Sequence, residues 1–470
     1  MPEGRVHDAI VIGGGLAGLA AGCTLLEAGL DCLVLEAAGY AGGRARTIHY
    51  GDLYAEAGAM VFTGEEQETL ALLRRYSNAP LMELGTHGAE LSLGGRLLRM
   101  GRMDGRAGGW RDLVDLLRLA GAMRAAGAEG FPKPTLRLLT AHRRFVRAVE
   151  KQAADISYPY RPDAAEGWDD TSFAAFARSF DARLTPILDL QLKVTAGELS
   201  DRISRFWGLV TSHWNADRFY WLSGGTSRFP EALAAVLGSR FVKDCRVEAV
   251  EQGEPLRIFA RLGDRADSFA CRQAIVAATP RAAAGMVRGL PDWKRAALEA
   301  VPFGAYIAVH LLCAERFWSR SILSGYLNCA GTTCADMVDG TKGQPGKRGI
   351  LIGFVAGPEA RRLLEASDEQ IVARVAGDVQ KIFPGGESKI ERGFVYRWPE
   401  GIPYFPPGYA ATLQALRESW GAIHFCGDYT QGAGMHDAVL SGLLAAERVT
   451  QALNLALRLP RPCRAVGTSL

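Results

Sequence analysis

The amino-acid sequence predicts an α/β fold in which a Rossmann-type domain is joined to a second, mixed α+β domain. The first forty residues carry a buried strand, a glycine-rich loop, a helix and a second strand in succession. The chain has 470 residues, which is longer than one ordinary domain. Hydrophobic residues make up 48% of the chain and charged residues 22%, as in globular proteins.

Several function classes are disfavoured by the composition. The formal net charge is +3, so nucleic acid is not an expected partner. No apolar run reaches the length of a membrane-spanning helix, and too few residues precede Ala9 for a leader segment. The nine cysteines are scattered and form no CxxC motif, which favours reduced thiols, a cytoplasmic protein and no metal.

The first element is a strand over Val6–Ile12, followed by glycines in a GxGxxG frame. Gly13 permits the tight turn, Gly15 lets a pyrophosphate approach the backbone, and Gly18 lets helix and strand pack closely. Leu16 and Ala17 begin a helix over residues 16–26, whose N-terminal N–H groups attract phosphate. The motif therefore predicts dinucleotide binding.

The second strand, Cys32–Leu35, ends at an acidic residue. Glu36 lies 21 residues after Gly15, where its carboxylate can accept hydrogen bonds from a ribose, with Ala37 beside it. The same charge repels a 2′-phosphate, which disfavours NADP.

The segment Gly42-Gly43-Arg44 resembles the GGRxxT segment of the flavin-dependent amine oxidase superfamily, which includes monoamine oxidases, protoporphyrinogen oxidases and carotene desaturases. The resemblance spans residues 6 to about 452 and implies FAD as the cofactor. It implies that Arg44 holds the pyrophosphate and that other segments contact the adenine, the ribityl chain or the flavin ring. These further implied contacts are Gly58, Ala59, Met60, Val247, Gly427, Asp428, Met435, His436 and Ala438.

The resemblance also implies a discontinuous FAD-binding domain. Its parts are expected at residues 1–90, 222–290 and 412–455, with the substrate domain at 91–221 and 291–411 and a loose tail at 456–470. The substrate domain contains a helical basic insertion, with 13 Lys and Arg against 5 Asp and Glu between Arg96 and Lys151. Two explanations of this excess of positive charge stay open. The residues form a solvated helical face, or residues 96–151 make peripheral contact with anionic lipid or an acidic partner.

Three departures from amine oxidases favour the protoporphyrinogen oxidase and desaturase branches. Ala308 occupies the position of the lysine near the flavin, and Gly434 that of one aromatic cage residue. The insert carrying the other cage residue and the flavin-binding cysteine is missing between Trp398 and Tyr404. FAD is therefore expected to bind noncovalently.

Candidate substrate contacts come from one strand and from aromatic residues. Strand alternation places Tyr306, Ala308 and His310 on one face. Tyr306 and His310 are the candidate catalytic residues, and His310 could be a general base or a core histidine. The other candidates are aromatic residues that either line an apolar pocket or pack in the core: Trp214, Tyr220, Trp398 and Tyr404.

These observations predict an FAD-dependent oxidoreductase. It would take a hydride from an apolar small molecule to flavin N5, forming C=C or C=N, with oxygen or a quinone as acceptor. One alternative is an oxidase of a secondary or cyclic amine. Another, from a different class, is a structural flavoprotein without turnover.

Overall fold

Two seven-stranded β-sheets organise the part of the chain that the structure describes. This computed structural model describes residues 5–84, 90–99, 135–153, 167–213 and 219–454. The predicted tail at 456–470 and residues 100–134 of the basic insertion lie outside the described residues.

The strands are named in chain order. They are β1 (Val6–Ile12), β2 (Cys32–Leu35), β3 (Thr47–Tyr50), β4 (Leu53–Glu56), β5 (Phe62–Thr63), β6 (Leu81–Leu84), β7 (Glu90–Leu93), β8 (Arg96–Arg99), β9 (Phe219–Leu222), β10 (Phe241–Val242), β11 (Cys245–Glu251), β12 (Leu256–Leu262), β13 (Arg265–Val276), β14 (Phe303–Cys313), β15 (Tyr326–Ala330), β16 (Asp336–Asp339), β17 (Gly349–Ala356), β18 (Ile390–Pro403) and β19 (Ile423–Phe425).

The α-helices of the described residues follow the same convention. They are α1 (Leu16–Glu27), α2 (Gln67–Tyr76), α3 (Leu136–Ala153), α4 (Phe173–Arg178), α5 (Thr185–Ala196), α6 (Arg205–His213), α7 (Arg228–Leu237), α8 (Pro280–Met286), α9 (Asp292–Glu299), α10 (Pro358–Leu363), α11 (Asp368–Ile382), α12 (Tyr409–Arg417) and α13 (Met435–Ala452).

The first sheet has the order β10-β2-β1-β13-β12-β11, with β19 also paired to β13. Its central pairs β2-β1, β1-β13 and β13-β19 are parallel, whereas β13-β12-β11 is antiparallel. The chain enters this sheet in three separated segments, 6–35, 241–276 and 423–425. The predicted α/β class and the βαβ unit are confirmed, while the domain boundaries stay predictions.

The second sheet has the order β18-β14-β17-β16-β15-β7-β8. It is antiparallel apart from the parallel pair β15-β7. On β14, Ile307, Val309 and Leu311 face one hydrophobic cluster while Ala308 faces another, as strand alternation requires. One face is covered by α11, and the other contributes to the site described below.

Helix α3 is the described part of the basic insertion. It buries Leu138, Phe145 and Val149 against neighbouring helices, and Phe145 packs on Phe173 at a ring-centroid distance of 5.6 Å. Four cations of the basic insertion are exposed on the other side of this helix: Arg137, Arg144, Arg147 and Lys151. Within the described ranges, the model contains no helix with both the length and the apolar character that a membrane span requires.

Helices α1 and α13 pack together with almost no space between them. A Cβ added at Gly442 of α13 would lie 2.1 Å from the backbone oxygen of Ala17 in α1. A Cβ added at Gly18 would lie 1.9 Å from the oxygen of Gly13. Such distances are far inside van der Waals contact, so only glycine allows this approach.

We therefore expect Gly442→Ala to destabilise the protein by about 1–3 kcal/mol, because the added methyl forces two close-packed helices apart. The matched control is Gly377→Ala in α11, where an added Cβ meets no atom within 4 Å. That change should leave the protein equally or slightly more stable, by up to about 1 kcal/mol, through helix propensity. Thermal unfolding midpoints of the two variants measure the difference, and equal midpoints would refute the packing argument.

Candidate active site

A cavity of about 2500 Å³ is lined by residues from both large sheets. The first sheet contributes Ile12, Leu35 and Val247, and the second contributes Tyr306 and Trp398. The volume exceeds that of an ordinary small-molecule pocket, so it can hold a dinucleotide together with a substrate.

The glycine loop after β1 forms one wall of this cavity. Gly13 has φ +112°, and an added Cβ would lie 2.7 Å from the Ala277 oxygen, so this turn requires glycine. Gly15 is the N-cap of α1, has no side-chain cap and would place an added Cβ in open space. The N-terminus of α1 is therefore open to an anionic group.

Glu36 is fixed at the end of β2 by two backbone N–H groups. Its Oε2 accepts from Gly14 N at 2.5 Å and its Oε1 accepts from Ala38 N at 2.6 Å. Each carboxylate oxygen accepts more than one hydrogen bond, so the group can still receive hydroxyl donors.

Arg44 joins the glycine loop to two distant segments. Its guanidinium donates to Asp428 Oδ1 at 2.7 Å and to the Gly401 oxygen at 2.9 Å. Burial acts to lower the pKa of Arg44, but the Asp428 carboxylate raises it above its usual value. The group stays charged beside the cavity, where further N–H donors remain for a phosphate.

A second helix N-terminus reaches the same cavity. Helix α13 begins at Met435, and its N-cap Gly434 supplies no side-chain hydrogen bond. His436 Nδ1 lies 3.0 Å from Thr69 Oγ1, and burial lowers the pKa of this imidazole while Glu68 acts to raise it. Two uncapped helix N-termini facing one cavity fit an anionic cofactor.

The structure brings together nearly all the predicted cofactor residues. The residues that line the cavity are Gly13, Gly15, Leu16, Ala17, Glu36, Ala37, Gly42, Gly43, Arg44, Gly58, Ala59, Met60, Val247, Gly427, Asp428, Met435, His436 and Ala438. Gly18 is the exception, since it is buried against Gly13 under the loop. Their individual contacts with FAD stay predictions.

The second sheet supplies the aromatic part of the wall. Trp398 on β18 pairs with Tyr306 on β14, and both line the cavity. The indole Nε1 donates to the Ala57 oxygen at 2.6 Å, which holds Trp398 beside the 57–59 segment. The Tyr306 hydroxyl donates to the Val194 oxygen at 2.6 Å.

Three other predicted substrate contacts are not among the residues that line the cavity. Ala308 is covered by a cluster that includes Met60, and Tyr404 is buried in the core below the guanidinium of Arg202. Tyr220 packs against the core around α1. Trp214 lies outside the described residues. The sequence pattern could not show which aromatic residues would be covered by distant parts of the chain.

The prediction of His310 as a general base gains no support from the structure, which places it as a core histidine. It is fully buried, and both ring nitrogens are engaged. Nε2 donates to the Glu56 oxygen at 3.0 Å, so Nδ1 accepts from the Tyr50 hydroxyl at 2.9 Å. Burial lowers the pKa of His310 to about 4, so the ring is neutral.

Two buried carboxyl groups on the cavity wall were not recognised from the sequence. Glu66 is 6% exposed, and its Oε2 has no hydrogen-bond partner within the described residues. Burial and the nearby Asp437 raise the pKa of Glu66 to about 8. Asp336 is 2% exposed, and burial raises its pKa to about 7 despite a hydrogen bond from Asn328.

Acidic side chains outnumber basic side chains along the cavity wall. Ten carboxyl groups and four guanidinium groups line the cavity among the described residues. Three of the guanidinium groups are already paired: Arg44 with Asp428, Arg361 with Glu198 at 2.9 Å, and Arg281 with Glu400 at 3.7 Å. Such a lining favours cationic guests. In the same residues, no cluster of His, Cys, Asp and Glu has the composition of a metal site.

Comparisons with known proteins agree with this architecture. Residues 16–450 match the family model for flavin containing amine oxidoreductases. Flavin-containing amine oxidase A of Canis lupus familiaris is 24% identical over 490 aligned positions, covering 96% of this chain and 86% of the relative. Flavin-containing amine oxidase B of Homo sapiens is 23% identical, and the alignment covers 95% of this chain and 86% of the relative.

Solved structures share the fold. Cyclohexylamine oxidase from Brevibacterium oxydans superposes with a TM-score of 0.73 at 21% identity, over 96% of this chain and all of that chain. Putrescine oxidase bound to putrescine gives a TM-score of 0.77 at 20% identity, over 95% and 99%.

The predicted closeness to protoporphyrinogen oxidases and desaturases is not confirmed, since the matched relatives named above are amine oxidases. The glycine loop, the acidic end of β2 and the two open helix N-termini agree with the flavin cofactor of these relatives. The chain belongs to the family of flavin-containing amine oxidoreductases and is an FAD-dependent oxidoreductase.

Proposed function

We propose that the protein oxidises the C–N bond of an amine, with oxygen or a quinone as the final electron acceptor. The observation that carries this proposal is the acidic lining of the cavity, in which ten carboxyl groups face four guanidinium groups. Amines are cationic at neutral pH, and a negative cavity raises their local concentration.

The acidic lining argues against the first interpretation, dehydrogenation of an apolar molecule. An apolar guest would remove water from Glu66 and Asp336 without offering them a partner. Burying such groups without a hydrogen bond or counter-ion is costly. An amine with an apolar body satisfies the carboxyl groups and the aromatic wall together.

The residues of the first sheet and its loops fit FAD as follows. The α1 N-terminus and Arg44 would hold the pyrophosphate, Glu36 the ribose of the adenosine and Val247 the adenine. Asp428 would contact the ribityl chain, and the N-terminus of α13 would stabilise negative charge on the ring. Bound FAD supplies the hydride acceptor.

The residues of the second sheet would position the amine. Trp398 is fixed by its hydrogen bond to the Ala57 oxygen, and Tyr306 by its hydrogen bond to the Val194 oxygen. Both rings are therefore rigid contact surfaces. Gly434 at the start of α13 offers no side chain, and only five residues separate Trp398 from Tyr404. These features argue against the two-sided aromatic cage that the resemblance implies for simple amine oxidases, and they favour secondary or cyclic amines over short primary amines.

The first prediction concerns substrate class. Under anaerobic conditions, secondary or cyclic amines should bleach the flavin, whereas polycyclic and polyene hydrocarbons should not. Bleaching reports hydride transfer whatever the final acceptor. Bleaching by the hydrocarbons alone would restore the desaturase interpretation. Failure of every donor, with tight FAD retention, would favour a structural flavoprotein.

The second prediction concerns Glu36. Glu36→Ala should weaken FAD binding about ten- to a hundredfold, because charge-assisted hydrogen bonds to a ribose contribute roughly 1.5–3 kcal/mol. Fluorescence titration of the apoprotein with FAD measures the dissociation constant. The control is Glu248→Ala on β11, an exposed carboxylate in the same sheet that pairs with Arg261. An unchanged FAD dissociation constant in Glu36→Ala would show that Glu36 does not bind the ribose.

The third prediction is noncovalent FAD attachment. The one cysteine that lines the cavity among the described residues is Cys245, at the start of β11 beside Val247 and so at the proposed adenine end. Burial raises the pKa of its thiol to about 11, which makes it a poor nucleophile. Heat or acid denaturation should release all the yellow colour into the filtrate, and flavin on the precipitate would contradict this.

A further inference from the structure

Asp336 occupies a central position on the cavity face of the second sheet. It begins β16, where it pairs with Phe354 on β17 and with Asn328 on β15. All three residues line the cavity. The carboxyl group is thus held on rigid strands, with an aromatic ring on one side and an amide on the other.

The carboxyl group lacks a counter-ion within the described residues. Its Oδ1 accepts from Asn328 Nδ2 at 2.5 Å, and no Lys, Arg or His of the described ranges forms an ion pair with it. Other cavity carboxylates have donors, since Asp428 pairs with Arg44 and Glu90 accepts from the Ser324 hydroxyl. Burial raises the pKa of Asp336 to about 7, which shows the cost of its charge in this place. A cationic ligand would remove that cost.

Asp336 also lies far from the proposed cofactor end of the cavity. Trp398 marks that end, because its indole is bonded to Ala57 beside the flavin-contacting segment. Strand β16 is separated from β18 by β17 and β14, so three strand spacings of about 4.8 Å place them about 14 Å apart. Tyr306 and Phe354 lie on the strands between and line the cavity there.

We infer that Asp336 binds a second cationic nitrogen of the substrate, remote from the nitrogen whose C–N bond is oxidised. The substrate class is therefore an amine that carries another basic nitrogen across an apolar spacer. This inference rests on the proposed amine oxidation. The spacer contacts Tyr306 and Phe354, and the remote ammonium displaces the water that would otherwise solvate Asp336.

The test compares two secondary amines whose longer substituents have equal chain length, one ending in an ammonium group (the diamine) and one ending in a methyl group (the monoamine). For the native protein, the diamine should give half-maximal flavin reduction at a concentration about ten- to a hundredfold below the monoamine. Asp336→Asn should remove this advantage, so that the two substrates reach half-maximal flavin reduction at similar concentrations. The control is Glu391→Gln, a partly exposed carboxylate on β18 paired with Arg348, which should behave as the native protein.

A second variant guards against a folding defect in Asp336→Asn. Asp336→Glu keeps the charge on a longer side chain, so it should keep the diamine advantage but shift the best spacer to a shorter diamine. The inference would be overturned, while amine oxidation stands, by two results together. Asp336→Asn would raise the half-maximal concentrations of both amines by the same factor, and Asp336→Glu would leave the preferred spacer length of the diamine unchanged. Failure of the native protein to be reduced by either amine would instead overturn the proposed function.

Discussion

The site depends on the close approach of helices α1 and α13. Gly18 and Gly442 leave no side chain between the loop after β1, α1 and α13, so the backbones pack in direct contact. This contact fixes both helices against the parallel core of the first sheet. It brings two N-termini without side-chain caps to one cavity. Fixed N–H groups of this kind stabilise negative charge without reorganisation, which is what an anionic cofactor needs.

The two halves of the cavity differ in how their charges are balanced. At the proposed cofactor end, Arg44 and Asp428 form an internal pair, and the Glu36 carboxylate is held by backbone N–H groups. At the proposed substrate end, Asp336 keeps a buried carboxyl group without an ion partner in the described residues. A buried charge without a partner reduces the stability of the folded protein. The position of Asp336 in a cavity is therefore best explained by a ligand that supplies the opposite charge.

Sequence patterns predicted the parts of the molecule that local periodicity determines. The βαβ unit followed from a buried strand, a glycine loop and an acid at fixed spacing, and the expected helical character of the basic insertion is seen in α3. The alternation of β14 side chains between the two faces of the sheet was also predicted correctly. However, the covering of Ala308 and the hydrogen bonds of His310 depend on Met60, Tyr50 and Glu56, which come from distant segments. The burial of Asp336 depends on strand order and could not be derived from its neighbours in the chain.

The central claim is that one cavity holds FAD at the glycine loop and a cationic amine at the second sheet. A crystal structure of the FAD-loaded protein, grown without oxygen in the presence of an α,ω-diamine, tests this claim most directly. The account predicts the pyrophosphate at the N-terminus of α1 and one amine nitrogen within about 3 Å of the Asp336 carboxylate. FAD bound away from the α1 N-terminus, or a diamine bound with no nitrogen near Asp336, would contradict it.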